Sequence, residues 1–167
     1  GLRHLSLPWH QVTPRALFWS IDVGKVIIHT GNTNITGPIL AKLLYEQYNI
    51  ETEMATANYV LAMTTVLDST DNFDRLGKAL IEIDANLLHG SHPPLPSLPL
   101  PTQSLSITEA TELEGCETPL AKSSGAISLE YVWAYPPGIP LLVPGEVIPS
   151  NFAEFVTTLL KLGIHLH

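Results

Sequence analysis

The chain of 167 residues has one cysteine, Cys116, so it carries no internal disulfide framework, a usage that suits the cytoplasm. It is also poor in charge. Asp, Glu, Lys and Arg make up 14% of it, against about 25% in an ordinary soluble domain. So little charge implies surface hidden against a partner or against another part of the same protein. Cations are scarcest: eight Lys and Arg face sixteen Asp and Glu, for a net charge of −8. With no run of basic residues to neutralise phosphates, nucleic acid is excluded as a partner. An acidic balance accommodates cationic amine substrates and serves plain solubility equally well. No stretch of about 18 apolar residues runs uninterrupted, and the first residues lack a basic-then-apolar signal pattern, so neither a membrane span nor secretion is expected. The first residue is Gly rather than Met, which suggests a piece of a longer polypeptide.

What is there is apolar enough, at 45%, for one domain or for two small subdomains sharing a core. Residues 1–20 have no clean period and read as a connecting arm, with a short strand at 16–19 and with Trp9 and Trp19 packed. Residues 25–30, Lys-Val-Ile-Ile-His-Thr, form a β-branched run between Gly24 and Gly31 and predict a buried strand, with His29 a core or edge histidine. Thr36-Gly37-Pro38 opens a helix, since Thr36 or Gly37 can cap and Pro38 sits where a missing amide costs nothing. Ile39, Leu40, Leu43, Leu44, Tyr45 and Tyr48 then recur at helical spacing up to Asn49.

Residues 50–54 alternate as a half-exposed strand, and residues 58–67 are more apolar and should be central, the two joined as a hairpin. Residues 68–71 supply caps and negative charge for a second helix, whose inward face is Phe73, Leu76, Leu80, Ile83 and Leu87 and which Gly90 ends. The order β-α-β-β-α predicts an α+β layer with an antiparallel-rich sheet and two helices on one face over residues 21–90.

Residues 91–106 form a proline-rich linker, extended like polyproline. A C-terminal subdomain, an α/β extension over residues 107–167, follows. Its acidic start, with Glu109, Glu112, Glu114 and Glu117, predicts a helical turn with a solvated face. No histidine stands at ligand spacing there, so no metal is expected. Residues 126–134 read as a short helix running into a strand or as one extended segment. Ser150 is the expected cap of a final helix carrying Phe152, Phe155, Val156, Leu159 and Leu160, with Gly163 as its stop and a last strand after it that holds His165 and His167.

One stretch constrains its own backbone more than any other: Tyr135-Pro136-Pro137-Gly138-Ile139-Pro140-Leu141-Leu142-Val143-Pro144-Gly145-Glu146. Its prolines fix φ and remove donors, so neither a helix nor a central strand can run through it. Pro137-Gly138 and Pro144-Gly145 each put the preset φ before the residue that takes φ > 0, the order a type II turn requires. The ribbon therefore turns twice and ends in an acid. Its run of Ile139, Leu141, Leu142 and Val143 calls for something large to cover it.

These twelve residues resemble the signature near the C-terminus of the bacterial Orn/Lys/Arg decarboxylases, pyridoxal-phosphate enzymes of aminotransferase-like fold. Glu117-Thr118-Pro119-Leu120 and Gly125-Ala126-Ile127-Ser128 are similar to the family's lead-in, with Ser123-Ser124 as a departure. Residues 22–84 resemble the family's smaller C-terminal domain by pattern, and the likeness covers roughly four fifths of the chain. The resemblance implies a C-terminal portion of a decarboxylase of arginine, lysine or ornithine, leading to polyamines. Such a portion would complete an active-site wall and a subunit interface against a pyridoxal-phosphate-binding large domain of the same protein, in a homodimer or higher oligomer.

The family holds its cofactor lysine in a Ser-x-His-Lys-like context. Here none of Lys25, Lys42, Lys78, Lys122 and Lys161 follows a histidine, so the chain is expected to bind no cofactor and to be inactive by itself. The two proline turns, with Pro136, Pro137, Gly138, Pro140, Pro144 and Gly145, would then hold Glu146 to recognise the distal ammonium or guanidinium of a basic amino acid, with Tyr135 supplying a ring face or a hydroxyl. The alternative is that Tyr135 packs and Glu146 caps the following segment, and that the chain is a non-catalytic dimerisation or assembly module.

Overall fold

In the computed structural model, residues 1–8, 22, 24–92, 97, 100–135 and 138–167 are described. The strand expected at 16–19, Trp9, Trp19, residues 93–96, 98 and 99 of the proline-rich linker, Pro136 and Pro137 lie outside the described residues. The packing divides the chain into two compact units, Gly1–Pro93 and Pro94–His167.

In the first unit the element order is β1 (Lys25–His29), α1 (Gly37–Tyr48), β2 (Met54–Ala55), β3 (Tyr59–Met63) and α2 (Thr70–Ala85). The β-α-β-β-α pattern is the one the apolar periods predict. Both ladders are antiparallel and β3 is central, in the order β1-β3-β2. Ile28 and Val60 stand opposite each other and are fully buried. They share one core cluster with Leu40 and Leu44 of α1 and with Ala79, Leu80, Ile83 and Leu87 from α2 and its exit. Both helices thus cover the same face of the sheet.

α1 stops where Asn49 takes the left-handed conformation at φ 53°, and its N–H bonds back to the Tyr45 carbonyl. His29 lies on an edge strand and exchanges backbone hydrogen bonds with Ser6.

Several boundaries differ from expectation for local reasons. The Ile50 N–H is taken by the Leu44 carbonyl, so the second strand begins only at Met54. The central strand ends at Met63 rather than 67 because residues 65–68 form a turn, with Asp68 N–H donating to the Thr65 carbonyl. α2 ends at Ala85, five residues before Gly90, and its first turn leaves Phe73 47% exposed, so the inward face starts at Leu76.

In the second unit, β4 (Thr102–Gln103), α3 (Ile107–Thr111), β5 (Val132–Tyr135), β6 (Ile139–Leu142), β7 (Glu146–Val147), α4 (Phe152–Lys161) and β8 (His165–Leu166) follow in order. β4 pairs with β7, and a separate three-stranded sheet has the order β6-β5-β8; all these ladders are antiparallel. The segment at 126–134 is extended, of the two readings open to it, after a single 3-10 turn at Leu120–Lys122.

α4 is capped at Asn151 rather than Ser150. It closes with two bonds characteristic of a Schellman motif, from Gly163 N–H to Leu160 O and from Ile164 N–H to Leu159 O. Its Phe152 and Val156 pack with Leu142, and Val132, Leu141, Ile148 and Leu166 border that cluster. α3, short as it is, has a full capping box: Ser106 Oγ accepts from Glu109 N–H, and the Glu109 carboxylate accepts from Ser106 N–H. Among the described residues no helix is long and apolar enough to cross a membrane.

Candidate functional site

The proline ribbon folds as a hairpin followed by a tight turn. β5 and β6 pair through Ala134 with Ile139, Trp133 with Pro140 and Val132 with Leu142, with a bulge between Val132 and Trp133. Gly138 closes the hairpin at φ 98°, its N–H donating to Ala134 O at 3.0 Å. Pro140 lies on β6, an edge strand, where its missing N–H is tolerated.

At 143–146 the Glu146 N–H donates to Val143 O at 3.2 Å, Pro144 is fully buried and Gly145 has φ 92°, the geometry that a Pro-Gly pair in a type II turn dictates. Three pieces of chain meet at this turn. Gly145 N–H donates to Ser128 O at 2.8 Å, while its carbonyl accepts from Ser104 and Leu105 N–H at 2.8 and 3.1 Å. A β-carbon on Gly145 would stand 2.2 Å from the Leu105 carbonyl oxygen, so no other residue fits without displacing backbone.

Glu146, at the end of this turn, uses its side chain locally. The Glu146 Oε2 accepts from Val143 N–H at 2.8 Å, so the carboxylate closes its own turn, which is a different structural role from capping the segment that follows. Its backbone carbonyl accepts from Ser128 N–H at 2.8 Å, and the residue is half-buried opposite Gln103.

Tyr135 lies elsewhere in the unit, in the sheet β6-β5-β8, at the far end of β5 from the 142–146 turn. Side chains alternate along a strand, so Trp133 and Tyr135 share the face of β5 opposite the one Val132 turns to the core. Tyr131, just before β5, stacks on Trp133 with centroids 5.1 Å apart and planes at 16°. Tyr135 meets the edge of His167 at 5.8 Å and 82°. Trp133, Tyr135, Gly138 and His167 line a shallow, open depression of about 460 Å³ with no charged side chain at its wall among the described residues. Tyr135 is 55% exposed there. Glu146 is not part of this wall, so the two candidate substrate contacts stand in different sheets.

Sequence reasoning missed the partners of two carboxylates in the first unit. Asp84 is buried and accepts from the backbone N–H groups of Arg3, His4 and Leu5, fastening the first residues of the chain to α2. Burial pushes its pKa up, but those three hydrogen bonds and the nearby His4 outweigh it and hold the group below the usual carboxylate value. Nothing local marks an acid whose partners are about eighty positions away. The other, Asp68, accepts from Thr65 N–H at 2.7 Å, from Thr65 Oγ1 at 3.2 Å and from Asn72 Nδ2 at 3.1 Å. The backbone bond from Thr65 leads the lowering of its pKa, against a smaller desolvation effect.

A pyridoxal phosphate group needs a lysine in a dry pocket and donors for its phosphate. The five lysines here do not fit that demand. Lys42, Lys78, Lys122 and Lys161 are exposed, and Lys25 is half-exposed and paired with Glu53 at 3.7 Å.

Comparison with known proteins places this geometry in context. Residues 100–165 match the family model for the Orn/Lys/Arg decarboxylase, C-terminal domain. The chain is similar to the arginine decarboxylase of Bacillus subtilis, 33% identical over 152 aligned positions, with 87% of this chain and 31% of that protein covered. It is similar to that of Bacillus anthracis at 28% identity over 167 residues, 98% of this chain and 34% of the relative. The chain thus spans about a third of the length of these relatives.

Among solved structures it superposes on the constitutive lysine decarboxylase of E. coli with a TM-score of 0.67 at 18% identity, covering 98% of this chain and 32% of the other. For the lysine decarboxylase of Francisella novicida the values are 0.68, 20%, 89% and 29%. At such identities the likeness is one of fold.

Proposed function

We propose, from the premise that residues 100–165 carry the C-terminal domain of the Orn/Lys/Arg decarboxylase family, that this chain is the C-terminal portion of a cytoplasmic, pyridoxal-phosphate-dependent decarboxylase of a basic amino acid, inactive by itself. The observation that carries the reading is the match over residues 100–165, which contains the whole proline ribbon. Similarity to arginine decarboxylases makes arginine the first substrate to test, with lysine and ornithine beside it. The cofactor would be held by the large domain, since the lysines of this chain do not fit it.

On this reading the ribbon is a preorganised wall. Its hairpin presents Tyr135 beside an open apolar depression that a catalytic domain, or a second subunit of an oligomer, would close, and its locked turn holds Glu146. Glu146 would meet the distal cation of the substrate with the carboxylate oxygen that Val143 does not occupy. The test is Glu146→Gln in the full-length protein, because glutamine keeps an oxygen for Val143 N–H and loses the charge. A fall in kcat/KM of at least about tenfold is expected; unchanged kinetics would assign the acid to its turn alone.

That bond to Val143 favours a second reading, in which Glu146 is structural and the chain serves subunit assembly without touching substrate. Glu146→Gln with full activity, together with loss of oligomers when Tyr135 and Trp133 are changed to serine, would select it.

A further inference from the structure

The connection between β3 and α2 breaks the usual rules for a turn. Residues 65–68 close through Asp68 N–H to Thr65 O at 3.2 Å, so Val66 and Leu67 are its two central residues. Such positions favour Gly, Pro, Asn, Asp or Ser, whose backbones or short polar side chains suit a solvated bend. Here an aliphatic pair takes them, with Val66 102% and Leu67 89% exposed.

The turn is nonetheless held firmly. The Asp68 carboxylate gathers Thr65 N–H, Thr65 Oγ1 and Asn72 Nδ2, and Leu67 N–H donates to Thr65 Oγ1 at 3.2 Å. Met63 before it and Phe73 after it are also about half exposed. Four apolar side chains within eleven residues, two of them on a fixed tip, mark a surface prepared to be covered, because a local rule broken without local gain points to a functional contact.

We propose that this tip is a docking plug that seats Val66 and Leu67 in an apolar cleft of the part of the polypeptide that the decarboxylase relatives have and this sequence does not span. The choice of occupant rests on the function proposed above and on length: the chain accounts for about a third of those relatives, which leaves a body of protein large enough to offer such a cleft. A rigid tip suits this use, since its ordering is complete before association and only the side chains are left to settle. Asp68 and Asn72 are positioning residues for the tip.

The experiment is thiol labelling of the full-length protein. In a background where Cys116, the one cysteine of this sequence, and every cysteine in the rest of the full-length protein are changed to serine, Val66→Cys and Leu67→Cys are each treated with a small maleimide, folded and in urea. Labelling at least tenfold slower in the folded protein than in urea, and independent of protein concentration, is the expected result. Rates equal within twofold at both positions overturn the inference, and protection that fades on dilution overturns it in favour of a second copy as the occupant. Decarboxylation by the same samples is measured in parallel. A bare tip in an active enzyme sinks the plug and spares the proposed function; a protected tip in a protein without decarboxylase activity does the reverse.

Discussion

The two units hold themselves together by different means. Among the described residues the first gathers nine buried side chains into one cluster between a sheet and two helices, while the cluster in the second has three. The second makes up for a thin core with backbone: the 143–146 turn alone takes hydrogen bonds from or to residues 104, 105 and 128, and Pro144 fixes its φ without any side-chain entropy to lose. One unit is specified by volume and the other by backbone geometry. They should therefore fail under different substitutions.

The sharpest way to break the contrast is Gly145→Val. It adds left-handed strain at φ 92° to a collision with the Leu105 carbonyl, and should destabilise the second unit by about 4 kcal/mol. Amide exchange should show protection lost across residues 100–167 and kept in residues 24–92; a uniform loss, or none, would contradict the division of labour. Leu44→Ala should do the converse. The side chain is fully buried in the larger cluster, so deleting it should cost the first unit about 3 kcal/mol, read as a lower denaturation midpoint of that unit only.

A smaller effect is expected at Asp84, whose removal as Asp84→Ala leaves three backbone donors without their acceptor and should cost about 2 kcal/mol at neutral pH. Its pKa in the folded state lies below the ordinary 3.8. The stabilisation is therefore complete above that value and is lost as pH falls through the lowered one. Acid titration of stability should show a steeper decline below pH 3.8 in the wild-type chain than in Asp84→Asn; parallel curves would refute the assignment.

The sequence disclosed what short-range physics controls. Apolar periods of 3.6 and 2 placed α1, α2, α4 and the β2–β3 hairpin, and adjacent Pro and Gly announced the turn at 143–146, because each signal acts within a few residues. Ser106-Ile107-Thr108-Glu109 has the spacing of a capping box and is legible in the same way, beneath the acidic character of the segment that follows.

The rest depended on what meets at a distance. Phe73 fits the helical period yet is about half exposed, because the core cluster takes up α2 only from Leu76 on. Asp84 reads as one more surface acid until residues 3–5 fold onto it. At the candidate site the motif was plain, but which sheet each of its residues joins was not: Tyr135 and Glu146, eleven positions apart, end in separate ladders because the 143–146 turn redirects the chain from one to the other.

Pro140 has an effect that reaches past the ribbon's own geometry. It occupies the second position of β6, a margin of the sheet whose other side is not taken by a further strand among the described residues. An incoming extended chain would find one link of that margin without a proton to share, and an aligned stack of copies would meet the same gap at every layer. The ring that stiffens the segment thus also blunts this edge against strand-by-strand addition.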